Sequence, residues 1–553
     1  MMIRKWVKYT VVATILGVVA TICISAAQSD FKLGRNMEIM VNLMRVLYTQ
    51  YADEVDADKM LKSGAQGITK ALDPYTEFIP EEDLPDFETM TTGRYGGIGS
   101  LIRKRGDYVT IAEPYRNSPA DKAGFMAGDR IVAIDGESMK GADVEDISKR
   151  LRGEPNTTVK ITIERLLDST RHEHTIRRQR ITIPSISYVG YVSEGVGYIR
   201  HEDFTDKCYD DMRAAILKLQ SEGELKSLIL DYRNNGGGVL QSAIKIVSLF
   251  VPKGTVVVET RGRKQTTQTL RTENEPLLPN IPLAVLINRN SASAAEIVAG
   301  AIQDLDRGVL FGEKSFGKGL VQGTAGLGYN AHLKYTVGKY YIPSGRCVQA
   351  VEYGEGGRAK PIADSLINEF KTSRGRKVYD GGGIMPDVKV APRTMSDFAA
   401  VLYLIGAVDD FCDDYTRRNG VITADKMTFS INDKDYEAFS ALVESRDLPY
   451  KSDSRRALEE LNKALTKEEK VALDEQLKLL DKGIKDDKKS LLAANKSELI
   501  KLINADLVRR AYYADGSIAH SLPSDTCVGE AIKILGNKEE YLRILTSQDT
   551  QRK

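Results

Sequence analysis

Asn290-Ser291-Ala292-Ser293-Ala294-Ala295-Glu296-Ile297 lies where an uninterrupted apolar run, Leu283 to Asn288, meets a helical pattern over Ala294 to Leu305. A buried strand that turns directly into a helix is the repeating unit of an α/β sheet. A serine at that turn projects from the sheet edge, and the first free N–H groups of the helix point at whatever it attacks. Such amides stabilise a developing oxyanion by about 3 kcal/mol per donor. Ser293 and Glu296 also fit S-x-x-E, so a plain helix N-cap explains the serine equally well when it is read alone.

The second stretch, Glu313-Lys314-Ser315-Phe316-Gly317-Lys318-Gly319-Leu320-Val321-Gln322, places Lys318 25 positions after Ser293. That is room for the helix, a return strand and a glycine turn. A neutral lysine can take a serine's proton. Lowering its pKa from about 10.4 to about 7–8 requires about 4 kcal/mol, which burial among Phe316, Leu320 and Val321 is expected to supply. Gly312 to Gly319 also spells G-x-x-x-x-G-K-G. The Ser or Thr that would touch magnesium is missing and the next residues read poorly as a helix, which argues against a nucleotide loop.

Working outward, Ser227 to Tyr232 and Val309 to Phe311 read as further buried strands, and Leu240 to Phe250 as a helix. Residues 180–392 therefore form one α/β region. Asn234-Asn235-Gly236-Gly237-Gly238 follows the first of these strands. Its glycines permit positive φ and expose amides, which suits either a second oxyanion donor or a tight strand–helix turn. Residues 93–166 alternate in short strands (Tyr108 to Ala112, Arg130 to Ile134, Val159 to Ile163) around one helix, Val144 to Leu151. Residues 35–90 are helical, with one apolar stripe at Met40, Leu43, Met44, Val46 and Leu47. Residues 394–553 are charged and mainly helical. There Thr466 and Glu469 form a capping box, and Leu473, Leu477, Leu480 and Ile484 suggest a helix packed on its own domain.

Arg4, Lys5 and Lys8 precede an apolar run from Val11 to Ala27 that ends Ser25-Ala26-Ala27. Residues 1–28 are thus expected to be a secretory signal peptide or an uncleaved membrane anchor. With 78 basic and 77 acidic residues, the formal net charge of +1 gives no electrostatic case for nucleic acid. Five scattered cysteines without C-x-x-C spacing, and only five histidines, argue against zinc and favour histidine-free catalysis.

These segments resemble the carboxyl-terminal processing (tail-specific) serine peptidases, a Ser–Lys family with a PDZ domain. The likeness extends through Leu72-Asp73-Pro74-Tyr75-Thr76, Asp231 to Gly238, Tyr340 to Arg346 and Gly381 to Asp387. It also includes Tyr95-Gly96-Gly97-Ile98-Gly99 and Ser118-Pro119-Ala120. The resemblance implies a multidomain α/β protein with an α/β peptidase core (crotonase/Clp-like). An inserted PDZ-like β-rich module, an N-terminal helical segment and a C-terminal helical extension accompany that core. It implies Ser293 as nucleophile, Lys318 as base, and Gln322 orienting the lysine. It places the oxyanion between Ala294 and a glycine, taken as Gly237, and gives Gly97, Ile98 and Gly99 the peptide's carboxylate. No cofactor or metal is expected. Partners are protein or peptide substrates with exposed C-terminal tails. The location is the periplasm, or the inner membrane facing it. Membrane association through the N-terminus and homo-oligomerisation through the C-terminal domain stay open, as does an inactive PDZ scaffold in place of an enzyme. Ala295 departs from the serine common before the glutamate, and about 160 residues follow the recognisable core.

Overall fold

The computed structural model describes residues 31–263, 267–392, 394–484 and 487–546, so the expected signal or anchor over 1–28 lies outside the described residues. Among these residues no helix is long and apolar enough to cross a membrane. The chain divides into two compact units.

The smaller unit holds residues up to Glu82 with Gln322–Thr336 and Tyr353–Ala359. Residues 31–50 are helical. A second helix, Ala57–Lys70, starts where the Asp56 side chain accepts from the Asp58 and Lys59 amides. Asp73 closes the following turn by accepting from the Tyr75 and Thr76 N–H groups, both at 2.9 Å. Strand Glu77–Ile79 then pairs antiparallel with residues 332–334. The apolar stripe expected on the first helix is no buried face: Met40, Leu43, Val46 and Leu47 are all exposed.

The larger unit begins with an antiparallel sheet in the order β1 (Ser100–Arg105), β2 (Tyr108–Pro114), β3 (Arg130–Ile134), β4 (Thr158–Glu164), β5 (Arg171–Arg177). Short helix α1 (Pro119–Lys122) follows β2, and α2 (Val144–Leu151) follows β3. Alternate residues Val159, Ile161 and Ile163 enter the core with Val109, Ile111, Ile131 and Ile147, as a one-faced sheet requires. The stretch from Asp168 to Arg180, expected as a hairpin or connector, contains β5 itself.

The central sheet runs β6 (Ile186–Ser193), β7 (Val196–His201), β8 (Ser227–Asp231), β9 (Leu283–Ile287), β10 (Val309–Gly312), β11 (Val388–Lys389). Only β6 is antiparallel to its neighbour. Parallel strands must be covered on both faces, and the alternation of β8 and β9 shows by what. Leu228, Leu230, Leu283, Val285 and Ile287 pack with α3 (Cys208–Glu222), α4 (Leu240–Val247) and α5 (Ala294–Asp304). Ile229, Ala284 and Leu286 point the other way, into a cluster with Cys527, Val528, Ala531, Ile534 and Tyr541.

That second layer comes from the chain's end. A separate helical core gathers α6 (Asp397–Leu404) and α7 (Ala407–Asn419) with the first half of α8 (Lys496–Ser521) around Phe398, Phe411, Phe439, Leu499 and Ile503. Helices α9 (Thr526–Leu535) and α10 (Lys538–Thr546) instead seal the peptidase-side sheet. The Thr466 capping box forms, with the Thr466 N–H 2.8 Å from Glu469. Its helix stops at Ala472, however, and a new one starts at Asp474. That break splits the expected leucine stripe and leaves Leu473 and Leu480 exposed.

Candidate active site

At the end of β9 the chain turns sharply through Ser293, at φ 56° and ψ −115°, before α5 begins. An ordinary N-cap is extended, so this serine is held in backbone that an L-residue enters only under constraint. The constraint is visible. Ser291 Oγ donates to Tyr232 O at 2.8 Å, and the Ala292 N–H donates to Asn235 O at 3.0 Å. The β9 turn is thereby fastened to the turn that follows β8.

Glu296, in the first turn of α5, is completely buried. Its Oε2 accepts from the Ser293 N–H at 2.9 Å and from the Lys318 N–H at 2.8 Å. Its Oε1 accepts from Ser315 Oγ at 2.6 Å and from the Gly317 N–H at 2.7 Å. One oxygen thus joins the backbones of Ser293 and Lys318. From the opposite side the Tyr340 hydroxyl lies 2.6 Å from Lys318 O and 3.2 Å from Ser293 O. Burial pushes the Glu296 carboxyl up to about 7, against four hydrogen bonds that favour its charge.

Gly317, at φ 88°, has the room only a glycine can use: a Cβ there would stand 2.5 Å from the Ala350 methyl. Lys318 itself is half-buried. The apolar wall expected around it is partial, with Leu320 buried and Phe316 52% exposed. Gln322 belongs to the smaller unit, in strand Leu320–Gly328, and its Nε2 is buried without a hydrogen-bond partner.

Gly237 meets Ser293 closely. A Cβ on Gly237, at φ 98°, would lie 2.7 Å from Ser293 Cβ and 2.9 Å from the Ala294 nitrogen. Its N–H, however, donates to Asn235 Oδ1 at 2.9 Å, so the amide taken as an oxyanion donor is occupied in this conformation. Among the described residues nothing accepts from the Ala294 N–H. Arg233, at the start of the same turn, clasps the buried Asp231 and reaches Asp525, the N-cap of α9, at 2.8 Å. Burial opposes charge on Asp231, but Arg233 holds the carboxyl below the usual range.

In the first sheet of the larger unit, Gly97 ends a strand paired with Gln179, Ile98 is 2% exposed in the core, and Gly99 adopts φ 76°. The loop is braced from behind. Ser118 Oγ and the Tyr115 N–H donate to Gly99 O, and the Ala120 N–H donates to Ile98 O. The Ile98 and Gly99 N–H groups donate to nothing among the described residues, and β1 beside them is an edge strand. That is the arrangement a carboxylate-ended peptide needs if it is to add as a further strand.

Comparison with known proteins matches residues 195–354 to peptidase family S41, 110–165 to a PDZ domain, and 398–535 to the C-terminal helical domain of a probable PDZ-protease. A probable CtpA-like serine protease of Staphylococcus aureus (strain N315) is 33% identical over 391 residues, which cover 69% of this chain and 77% of that one. The chain belongs to peptidase family S41. A carboxy-terminal-processing protease of Bartonella bacilliformis is 37% identical to this S41 peptidase over 308 residues, covering 55% of this chain and 70% of the relative. Among solved structures, the photosystem II D1 C-terminal processing protease is 25% identical with a TM-score of 0.35, over 66% of this chain and 90% of that one. The chain is accordingly a serine-type peptidase with a PDZ domain, an S41 core and a C-terminal helical domain.

Sequence reading did not assign Glu296 or Tyr340 a role in joining the two segments. The signal for Glu296 was available: a carboxylate in the first turn of an otherwise apolar helix must be buried, and a buried carboxylate needs donors.

Proposed function

We propose that this S41 peptidase grips the C-terminal tails of protein substrates in its PDZ domain and cleaves a peptide bond upstream through a Ser–Lys dyad. The observation that carries the reading is the single Glu296 oxygen that accepts from both the Ser293 and the Lys318 N–H groups. A carboxylate sequestered there has no better use than to fix two reacting side chains relative to one another. Ser293 Oγ attacks the scissile carbonyl carbon, and Lys318 takes the hydroxyl proton and passes it to the leaving amine. Water then opens the resulting ester with the same lysine as base. Ala294 supplies one oxyanion amide. Gly237 supplies the other once its N–H leaves Asn235. Gln322 orients Lys318. The Ile98 and Gly99 amides, with Gly97, receive the tail's carboxylate, and β1 pairs with its backbone. Residues 1–28 export the chain to the periplasm, as a cleaved signal or as an inner-membrane anchor.

The test compares the parent with Ser293→Ala and Lys318→Ala on a protein bearing an unstructured apolar tail. Each substitution should lower kcat by at least about a thousandfold while tail-peptide affinity persists. Cleavage by either variant at the parental rate would reject the dyad. A parent that binds tails but never cuts would be the inactive PDZ scaffold.

A further inference from the structure

Helix α8 touches three parts of the larger unit in succession. Leu499, Ile503, Leu507 and Val508 lie in the core of the helical domain. Arg509 to Asp515 face the PDZ domain, and Ile518 packs against the cluster on the central sheet. Between the second and third contacts the helix is broken at Tyr513, at φ 61° and ψ −171°. That region of backbone is entered readily only by glycine.

The PDZ domain grips this break on every side. Arg116 reaches Asp515 at 2.9 Å and stacks 4.7 Å from the centre of the Tyr513 ring. The Tyr513 hydroxyl donates to Asp121 at 2.7 Å, and the Ala514 N–H donates to Glu113 at 2.9 Å. Glu113 also pairs with Arg509. Inside a helix, a tyrosine stays out of helical backbone only while outside contacts over-determine it. Here those contacts all come from residues 113–121. The same segment braces the Ile98–Gly99 loop through Tyr115, Ser118 and Ala120.

The far end of α8 leads to the catalytic turn. Only Leu522–Ser524 separate it from Asp525, whose carboxylate holds Arg233 at the head of the Asn234–Gly238 turn. We infer that the C-terminal helical domain is the element that reports tail occupancy of the PDZ domain to the oxyanion turn, with the break at Tyr513 as its switch. With the loop empty, the PDZ domain holds the break and the Gly237 N–H stays on Asn235. A carboxylate on the Ile98–Gly99 loop shifts the 113–121 brace and lets α8 straighten at Tyr513. The Asp525–Arg233 contact then moves, and the Gly237 amide is released. Kinked and straight α8 are the two states that each site biases.

The direction of the effect on rate rests on the proposed dyad; the coupling itself does not, so the deciding experiment needs no hydrolysis. Hydrogen exchange is followed on the full chain carrying Ser293→Ala, with a short synthetic peptide that ends in apolar residues and a free carboxylate. The amide-capped peptide serves as control. Exchange should change both at 512–515 and at 233–238 with the free acid alone. Tyr513→Gly, which tolerates the same backbone but loses the ring, should bind the peptide with unchanged affinity and leave 233–238 unmoved. Asp525→Asn, which still caps α9, should do the same. In the chain with Ser293 intact, the peptide should raise cleavage of a short tail-less reporter by about tenfold, and neither variant should respond. An unmoved 233–238 segment in the parent overturns the coupling, and so does an undiminished response in both variants. Loss of all cleavage in the parent would reject the dyad while leaving the exchange result to decide the coupling.

Discussion

Glu296 and Asp231 are both fully buried at the carboxyl end of the same sheet, and they are kept there in opposite ways. Asp231 ends β8 against an arginine: Arg233 bonds both of its oxygens, and the Tyr198 hydroxyl adds a third donor at 2.6 Å. Glu296 accepts from three backbone amides and one hydroxyl. The first is charged and stays charged across ordinary pH. The second is lifted to about 7, because neutral donors do not repay the full cost of burying its charge. The arginine-paired carboxylate fixes a turn. The amide-held one fixes the position of a chemical group and titrates in the range where the chemistry works.

The largest difference should appear when each carboxylate loses its support. Arg233→Met strands Asp231 in the interior and should cost about 3–5 kcal/mol of unfolding free energy, measured by denaturant titration. A loss under about 1 kcal/mol would mean that Tyr198 and Arg200 suffice to hold the charge, and the contrast would weaken. Glu296→Gln keeps the volume but turns an NH2 toward donors. Stability should change little at neutral pH, since no charge remains to be desolvated. The reacting groups lose their alignment instead, so kcat should fall by about a hundredfold with KM nearly constant. A KM effect of the same size would place Glu296 in substrate binding rather than in alignment.

The pH dependence of stability sharpens the same comparison. A carboxyl raised to about 7 when folded, against about 4.5 unfolded, contributes stability that is complete below 4.5 and is lost as pH rises through 7. His201 works the other way. Burial pushes its imidazole down to about 3, and neither ring nitrogen finds a partner between the Phe204 and Tyr232 rings. Its contribution is complete above about 6.5 and is lost as pH falls toward 3. Between pH 5 and 6.5 the two slopes, each about 1.4 kcal/mol per pH unit, oppose one another. Removing either group exposes the other. Glu296→Gln should make the protein about 2 kcal/mol less stable at pH 5 than at 6.5, and His201→Leu should reverse the sign. Parallel curves for the two variants would show that neither group governs the window.

The pattern of what was legible follows the same physics. The strand–turn–helix around Ser293, the glycines beside Lys318 and the alternation of β4 are local properties, and short windows of sequence carry them. The destination of residues 526–546 is not local. Their apolar face at Val528, Ala531 and Leu535 is as suited to a helical bundle as to a sheet, and only the uncovered side of β8 to β10 decides between them. The same holds for helix 31–50, whose periodicity reads as a core stripe although its apolar residues are exposed. The occupied Gly237 amide was beyond sequence reading for a third reason. Asn235 Oδ1 competes for that N–H at hydrogen-bond distance, and a choice between acceptors is made by geometry of a few tenths of an ångström.

The smallest predicted effect concerns salt, and it separates the catalytic turn from the seam between the PDZ and helical domains. That seam is ionic and partly solvated: Arg103 meets Asp409 and Arg105 meets Asp413, each at 2.6 Å, and Arg116 meets Asp515. Exposed pairs of this kind contribute about 0–1 kcal/mol each, and salt screens them. Raising ionic strength from about 0.15 to about 1 M shortens the Debye length from about 8 to 3 Å. Exchange at 512–515 should then speed by less than about fivefold, while the α5 amides around Glu296, enclosed in protein and bonded to neutral donors, should not respond. Cleavage of a short reporter without a tail should keep its kcat through the same titration. A kcat that tracked the seam's exchange would tie the alignment of Ser293 and Lys318 to surface charge, and the Glu296 oxygen could then no longer be what holds them together.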